Sequence, residues 1–144
     1  MENILDRPLK ILLVEDDAVD VMMFRKTLAD VDVPNEIKLC RCAGCAKKAL
    51  VEGDIYPDVI FLDEVLPESS GSEFKEWLDS SKFKNIRVIR LTGSPESIKD
   101  PGDSVLLVKP PTVRTMSTVL QLVGAIQRVA QAAASYAIVS QGIH

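Results

Sequence analysis

Histidine is almost absent from this chain: the one histidine is the terminal His144. That counts against a histidine phosphocarrier and against a histidine-based hydrolase. Long apolar runs are absent too, and no stretch approaches the roughly 20 residues a membrane span needs. The first residues carry Glu2 and Asp6 and no long apolar segment, so they do not read as a signal peptide. Excess positive charge is missing: the net charge is −4, whereas a nucleic-acid surface needs a basic face. There is no internal repeat, low-complexity segment or linker. The expectation is a soluble, cytoplasmic protein without nucleic-acid or membrane partners. At 144 residues it is long enough for one domain burying roughly 70% of its unfolded surface.

Cysteines are few and close together: Cys40, Cys42 and Cys45. The spacing C-x-C-x-x-C lacks a second ligand group elsewhere, which argues against a structural metal site. Cys40 and Cys42 alternate along a strand-like stretch, so buried structural thiols are the favoured reading.

What is present is an alternation of apolar runs and helical patterns. The first strand runs from Lys10 to Glu15, and Asp16 or Asp17 can cap a helix over Ala18 to Asp30. Pro34-Asn35 breaks that helix. Strand two spans Ile37 to Cys42, and helix two spans Ala46 to Glu52, closed by Gly53. Strand three spans Asp58 to Leu62, a continuous apolar run of the kind buried on both faces of a parallel sheet. Pro67 to Ser70 reads as a loop, and helix three runs from Ser70-Gly71-Ser72 to about Ser80. Strand four is Ile86 to Leu91. Ser94 to Lys99 holds at most one or two helical turns before Asp100-Pro101-Gly102-Asp103. Strand five is Ser104 to Val108, and a long last helix covers Thr112 to about Ala134. Residues 1–9 form an N-terminal extension, 10–134 the domain and 135–144 a tail. Five strands alternating with helices imply an α/β fold with a doubly wound parallel sheet and right-handed crossovers. In the flavodoxin-like order 2-1-3-4-5, strands one and three lie side by side at the switch point.

Candidate functional residues stand at the strand ends. Asp63 ends strand three, Glu15-Asp16-Asp17 end strand one, Thr92 follows strand four and Lys109 follows strand five. In open α/β sheets this edge binds ligands. Three acids, a hydroxyl and a lysine there can bind a divalent cation and hold a phosphoryl group on one carboxylate. Single residues of this set have plain structural readings, such as helix caps or solvated charges; the set at matching strand ends does not. Asp17 reads as a cap, and Glu64 as a surface residue.

In this order and spacing, Ile11-Leu-Leu-Val-Glu-Asp-Asp17, Pro57-Asp-Val-Ile-Phe-Leu-Asp63, Leu66-Pro67 with Gly71, Leu91-Thr92-Gly93-Ser94 and Val108-Lys109-Pro110 resemble the response-regulator receiver domains of two-component signalling. The likeness covers about Lys10 to Ala130. Val14-Glu-Asp-Asp-Ala-Val-Asp20 and Pro34-Asn35 further resemble the single-domain regulators that partner bacterial phytochromes. The resemblance implies that Asp63 is the phosphoacceptor, attacking the phosphohistidine of a partner histidine kinase or phosphotransfer protein to form an acyl phosphate. It implies Mg²⁺ held by Glu15, Asp16, Asp63 and the backbone carbonyl of Val65. Lys109 would pair with the phosphoryl group, Thr92 would donate to it, and Gly93 would leave it room. It also implies a cis peptide before Pro110, and a signalling module rather than an enzyme.

Competing classes fit less well. An aspartate-nucleophile phosphatase needs a second aspartate two residues after the first, where this chain has Val65. A phosphorylation-independent pseudo-receiver is disfavoured by the intact set. Flavin binding is opposed by Glu15-Asp16-Asp17 where a phosphate loop would stand. Two departures from the family bear on output: Thr92 to Lys109 is shortened at the fourth helix, and Leu106 replaces an aromatic residue. No effector domain is expected in the roughly ten residues after the last helix, so output should pass through a partner protein, a phosphate sink or dimerisation. The last helix carries a face of Met116, Val119, Leu120, Val123 and Ile126 suited to the sheet. A second apolar face, Leu122, Ala125, Val129 and Ala132, suits a homodimer.

Overall fold

The computed structural model describes residues 6–97 and 104–142, the side chains of 97 and 138–142 excepted. Its elements are β1 (Leu9–Val14), α1 (Ala18–Ala29), β2 (Asn35–Cys40), α2 (Ala43–Val51), β3 (Val59–Asp63), a short hairpin of β4 (Val65–Leu66) and β5 (Ser69–Ser70), α3 (Gly71–Asp79), β6 (Arg87–Thr92), a 3₁₀ turn (Pro95–Ser97), β7 (Val105–Val108) and α4 (Val113–Gly142). The main sheet is parallel, in the order β2-β1-β3-β6-β7. This is the expected flavodoxin-like order, with the short hairpin counted in the numbering.

The sequence explains the layering. β3 is buried along its whole length, because helices cover both faces of the sheet and its neighbours β1 and β6 cover both edges. Alternate residues feed two cores. Ile11, Leu13, Phe61 and Leu91 meet Phe24 and Leu28 of α1 and Met116, Leu120 and Val123 of α4. Leu12, Val14, Ile60 and Leu62 meet Ala46 and Leu50 of α2 and Phe74 and Leu78 of α3. Phe24 and Phe61 pack edge to face at 5.0 Å between ring centroids. Each helix is capped locally. Asp17 accepts from the Asp20 amide (2.9 Å), Ser70 from that of Glu73 (3.1 Å) and Thr112 from that of Thr115 (3.1 Å).

Four boundaries differ from the sequence reading by more than one residue. β2 is Asn35–Cys40 rather than Ile37–Cys42, because Asn35 already pairs with Leu9 of β1. Cys42 is therefore not a strand residue; it is the N-cap of α2, which starts at Ala43 rather than Ala46. The expected loop at Pro67 to Ser70 closes a small hairpin, with Val65 opposite Ser70 and Glu68 in the left-handed region at φ 63°. The last helix does not stop near Ala134 but runs to Gly142, since Ala132 to Ala134 are strong helix formers and no breaker precedes that glycine. The short helical segment expected over Ser94 to Lys99 is seen as the single turn Pro95–Ser97; its last two residues lie outside the described ones.

Candidate functional site

Parallel pairing brings the carboxyl ends of β1, β3, β6 and β7 to one edge, with Glu15, Asp63, Thr92 and Lys109 on it. The carboxylate oxygens of Glu15, Asp16 and Asp63 lie within 4.8 Å of one another. Glu15 and Asp63 are buried, at 1% and 4% exposure, while Asp16 is open to solvent. The backbone fixes their places. The Glu15 amide donates to the Cys40 carbonyl (3.1 Å), and the Lys109 amide to that of Thr92 (2.8 Å). The Lys109–Pro110 peptide is cis, as the resemblance implied.

Lys109 is the cation of the site. Its ammonium donates to Asp63 Oδ1 at 3.0 Å, Asp20 Oδ2 at 2.7 Å and Glu15 Oε2 at 3.4 Å. Burial pulls its pKa down, but the hydrogen bonds to Asp20 and Asp63 outweigh burial and raise it, so it stays charged. Glu15 is pushed up to about 7, first by burial and then by its contact with Asp63; the Asp17 amide and Lys109 offset this only in part. Three carboxylates, those of Glu15, Asp20 and Asp63, thus surround one ammonium, with Asp16 beside Glu15 and Asp63. Such a site lacks positive charge, and clustered oxygen donors are what a hard divalent cation takes.

Thr92 is buried at the end of β6, and its Oγ1 accepts from the Ser94 amide (3.0 Å), which leaves its O–H to donate. Val65 is in β4, two residues past Asp63, with its side chain 75% exposed. A Cβ on Gly93 would meet no atom within 4 Å, so the space beside Thr92 is open. A Cβ on Gly71 would stand 2.5 Å from the Asp63 carbonyl oxygen and 3.0 Å from the Glu64 Cα. Only glycine lets α3 start this close to the turn after Asp63.

Three features were missed in the sequence. Asp20, on the first turn of α1, is the nearest partner of Lys109. Its position three residues past the cap Asp17 is the signal that could have found it. Glu64, expected as a surface residue, is instead held inward: it is ion-paired to the buried Arg90 and accepts from Ser72 Oγ at 2.7 Å, while Arg90 also reaches Ser72 Oγ at 2.6 Å. Arg90 was visible as a charge inside an apolar strand run. At the opposite edge, Asp58 binds Arg7, the Lys10 amide and Gln127.

The comparisons agree with this fold. No family model matches the chain. The polar-differentiation response regulator DivK of Brucella ovis is 28% identical over 121 residues, covering 79% of this chain and 95% of the relative. The bacteriophytochrome response regulator AtBRR matches with a TM-score of 0.72 at 26% identity, over 83% of this chain and 94% of that one. The phosphorylated cyanobacterial phytochrome response regulator RcpA matches at 0.63 and 27% identity, over 83% and 91%. By its sheet order and by these likenesses, the chain has the fold of the response-regulator receiver domains.

Proposed function

We propose that this receiver domain takes a phosphoryl group from a partner histidine kinase or phosphotransfer protein onto Asp63 and passes the signal on by binding other proteins. The observation that carries the reading is the buried Asp63 carboxylate, 3.0 Å from Lys109 and grouped with Glu15 and Asp16. In the transfer, an Asp63 carboxylate oxygen attacks the phosphorus of the phosphohistidine. The new O–P bond forms as the N–P bond breaks, and the imidazole leaves. Lys109 exchanges part of its contact with the carboxylates for a phosphoryl oxygen, and the Thr92 hydroxyl donates to another. Glu15, Asp16 and Asp63 would hold Mg²⁺, with the Val65 carbonyl as a further ligand; the ion offsets the repulsion between the incoming phosphoryl group and the acids. The domain acts as a signalling module rather than a turnover enzyme. Titration with Mg²⁺ and beryllofluoride, followed by amide NMR, tests this. Saturable shifts at Asp63, Thr92 and Lys109 are expected, and unchanged spectra would contradict the reading.

The output surface fits a homodimer through α4. Met116, Leu120 and Val123 are buried against the sheet, while Leu122 and Val129 are 59% and 68% exposed. Ile126, expected on the sheet face, is 39% exposed and widens the outer face. From Val113 to Gly142 the helix carries only Arg114 and Arg128 as charged residues, so two copies of this face meet with little charge conflict. No helix among the described residues is long and apolar enough to cross a membrane. Light scattering should report a dimer for the native chain and a monomer for Leu122→Glu/Val129→Glu. A native chain that stays monomeric at high concentration, with and without beryllofluoride, would remove the dimer from the account.

A further inference from the structure

The three cysteines do not form one cluster. Cys40 ends β2 and is buried, and burial pushes its thiol up. Cys42 and Cys45 belong to the first turn of α2. Cys42 is its N-cap, and Cys42 Sγ accepts from the Cys45 amide at 3.3 Å. Cys42 is half-buried and Cys45 is exposed.

Helix stability does not explain this choice of residues. Ser, Thr, Asp and Asn cap well, whereas sulfur is a weak acceptor. Gly44 in the first turn costs up to about 1 kcal/mol relative to alanine. Thiol chemistry explains both. Free amides and the positive end of the helix dipole favour a thiolate at a helix N-terminus. The nearest atom to a Cβ on Gly44 would be Cys42 Sγ itself, at 3.9 Å, so no side chain at position 44 covers the sulfur. Cys42 Sγ is folded back over the first turn, 3.3 Å from the Cys45 amide, so it already stands beside the residue whose sulfur it would bond.

We propose that Cys42 and Cys45 form a reversible dithiol–disulfide pair, with Cys42 as the attacking thiol and Cys45 as the resolving one. The oxidant is a low-molecular-weight disulfide of the glutathione class. The Cys42 thiolate attacks one of its sulfurs. A mixed disulfide forms, the original S–S bond breaks and one small thiolate leaves. Cys45 gives its proton to solvent, and its thiolate attacks Cys42 Sγ. The second small thiolate leaves with the electron pair of the mixed disulfide. The protein has lost two hydrogens, the oxidant has become two thiols, and a dithiol reductant runs the exchange backwards. The roles follow the local hydrogen bonds. The Cys45 thiol and amide hold the Cys42 thiol below its ordinary range, and the same contact pushes Cys45 up.

The test uses the whole chain, incubated with oxidised glutathione, alkylated at low pH and digested with trypsin. Cleavage after Arg41 and Lys47 isolates Cys42–Lys47 from Cys40. The expected product is that peptide, unalkylated, lighter by two hydrogens and restored by dithiothreitol. In Cys45→Ser the same peptide should carry glutathione on Cys42. In Cys42→Ser, modification of Cys45 should be slower by about tenfold. Overturning results are full alkylation of both thiols in the native chain, stable separate glutathione adducts, a bridge that includes Cys40, an unmodified Cys42 in Cys45→Ser, or equal reactivity of the two thiols. None of these readouts involves Asp63, so they stand apart from the phosphoryl reading.

Discussion

Asp58 and Asp63 flank the same strand and are both buried, yet their surroundings are opposite. Asp58, just before β3, sees only donors. Arg7 contributes two bonds of 2.7 Å, the Lys10 amide one of 2.8 Å and Gln127 one of 2.9 Å. Burial pushes its carboxyl up, but these bonds outweigh burial and hold it below the usual range. Asp63, at the far end of β3, shares a single lysine with Glu15 and Asp20 and stands beside Asp16. One carboxylate is satisfied and fastens the N-terminal stretch, β1 and α4 together. The other is left short of positive charge. A buried acid is structural or reactive according to whether its neighbours already balance it.

Substitution should separate the two. Asp58→Ala leaves Arg7, the Lys10 amide and Gln127 without their acceptor and should cost about 3 kcal/mol in denaturant unfolding. Asp63→Asn relieves a crowded set of like charges. It should leave stability unchanged or raise it, by up to about 2 kcal/mol, in the absence of Mg²⁺. Equal losses for the two variants would erase the distinction.

The pH response sharpens it. The Asp58 contribution is present above the ordinary aspartate pKa and is lost as pH falls through the depressed folded value. Glu15 in the acidic site behaves in the opposite sense. Its folded pKa of about 7 lies above its ordinary 4.5, so its contribution is present below 4.5 and is lost as pH rises through 7. Melting temperature without Mg²⁺ should therefore fall at the basic end of that window, and Mg²⁺ should restore it there. If Glu15 is a ligand of the ion, binding must displace its proton, and the affinity should rise by about tenfold or more between pH 5 and pH 8. A pH-independent affinity measured by calorimetry would contradict the assignment of Glu15.

The smallest effect is expected at Val65. Hydrolysis of an acyl phosphate needs a water aligned with the phosphorus, and polar side chains beside the site help orient it. Val65 is apolar and exposed two residues past Asp63, so self-dephosphorylation should be slow. Val65→Asn should speed the decay by several-fold, on the order of 2–10; an unchanged decay rate would remove Val65 from the explanation.

Much of this contrast was legible in the sequence, and its limits have physical causes. β3 declared itself because a strand buried on both faces must be apolar throughout. Its terminal Asp63 then stood out, and the ends of the other strands supplied Glu15, Thr92 and Lys109. The partners of Asp58 could not be read, since Arg7 and Gln127 are distant in sequence: Arg7 meets it only when β1 pairs with β3, and Gln127 only when α4 packs on the sheet. Asp20 was hidden for a related reason: its position on the first turn of α1 is also that of an ordinary helix-dipole acid. Arg90 went unnoticed although it is a charge inside an apolar strand run, and pairing it with Glu64 required knowing how close α3 starts to β3, a closeness that Gly71 permits. The end of α4 was misplaced because Ser135, Tyr136, Ile138, Val139 and Ser140, after the alanines, are weaker helix formers and read as readily as coil.

The central claim is that the unbalanced acid at the end of β3 is the one that takes phosphate. Intact-mass measurement after incubation with acetyl phosphate and Mg²⁺ tests it most directly. The account predicts a single phosphoryl adduct on the native chain, retained in Asp58→Asn, absent in Asp63→Ala and absent when Mg²⁺ is removed. An adduct that persists in Asp63→Ala, or none on the native chain with Mg²⁺ present, would contradict it.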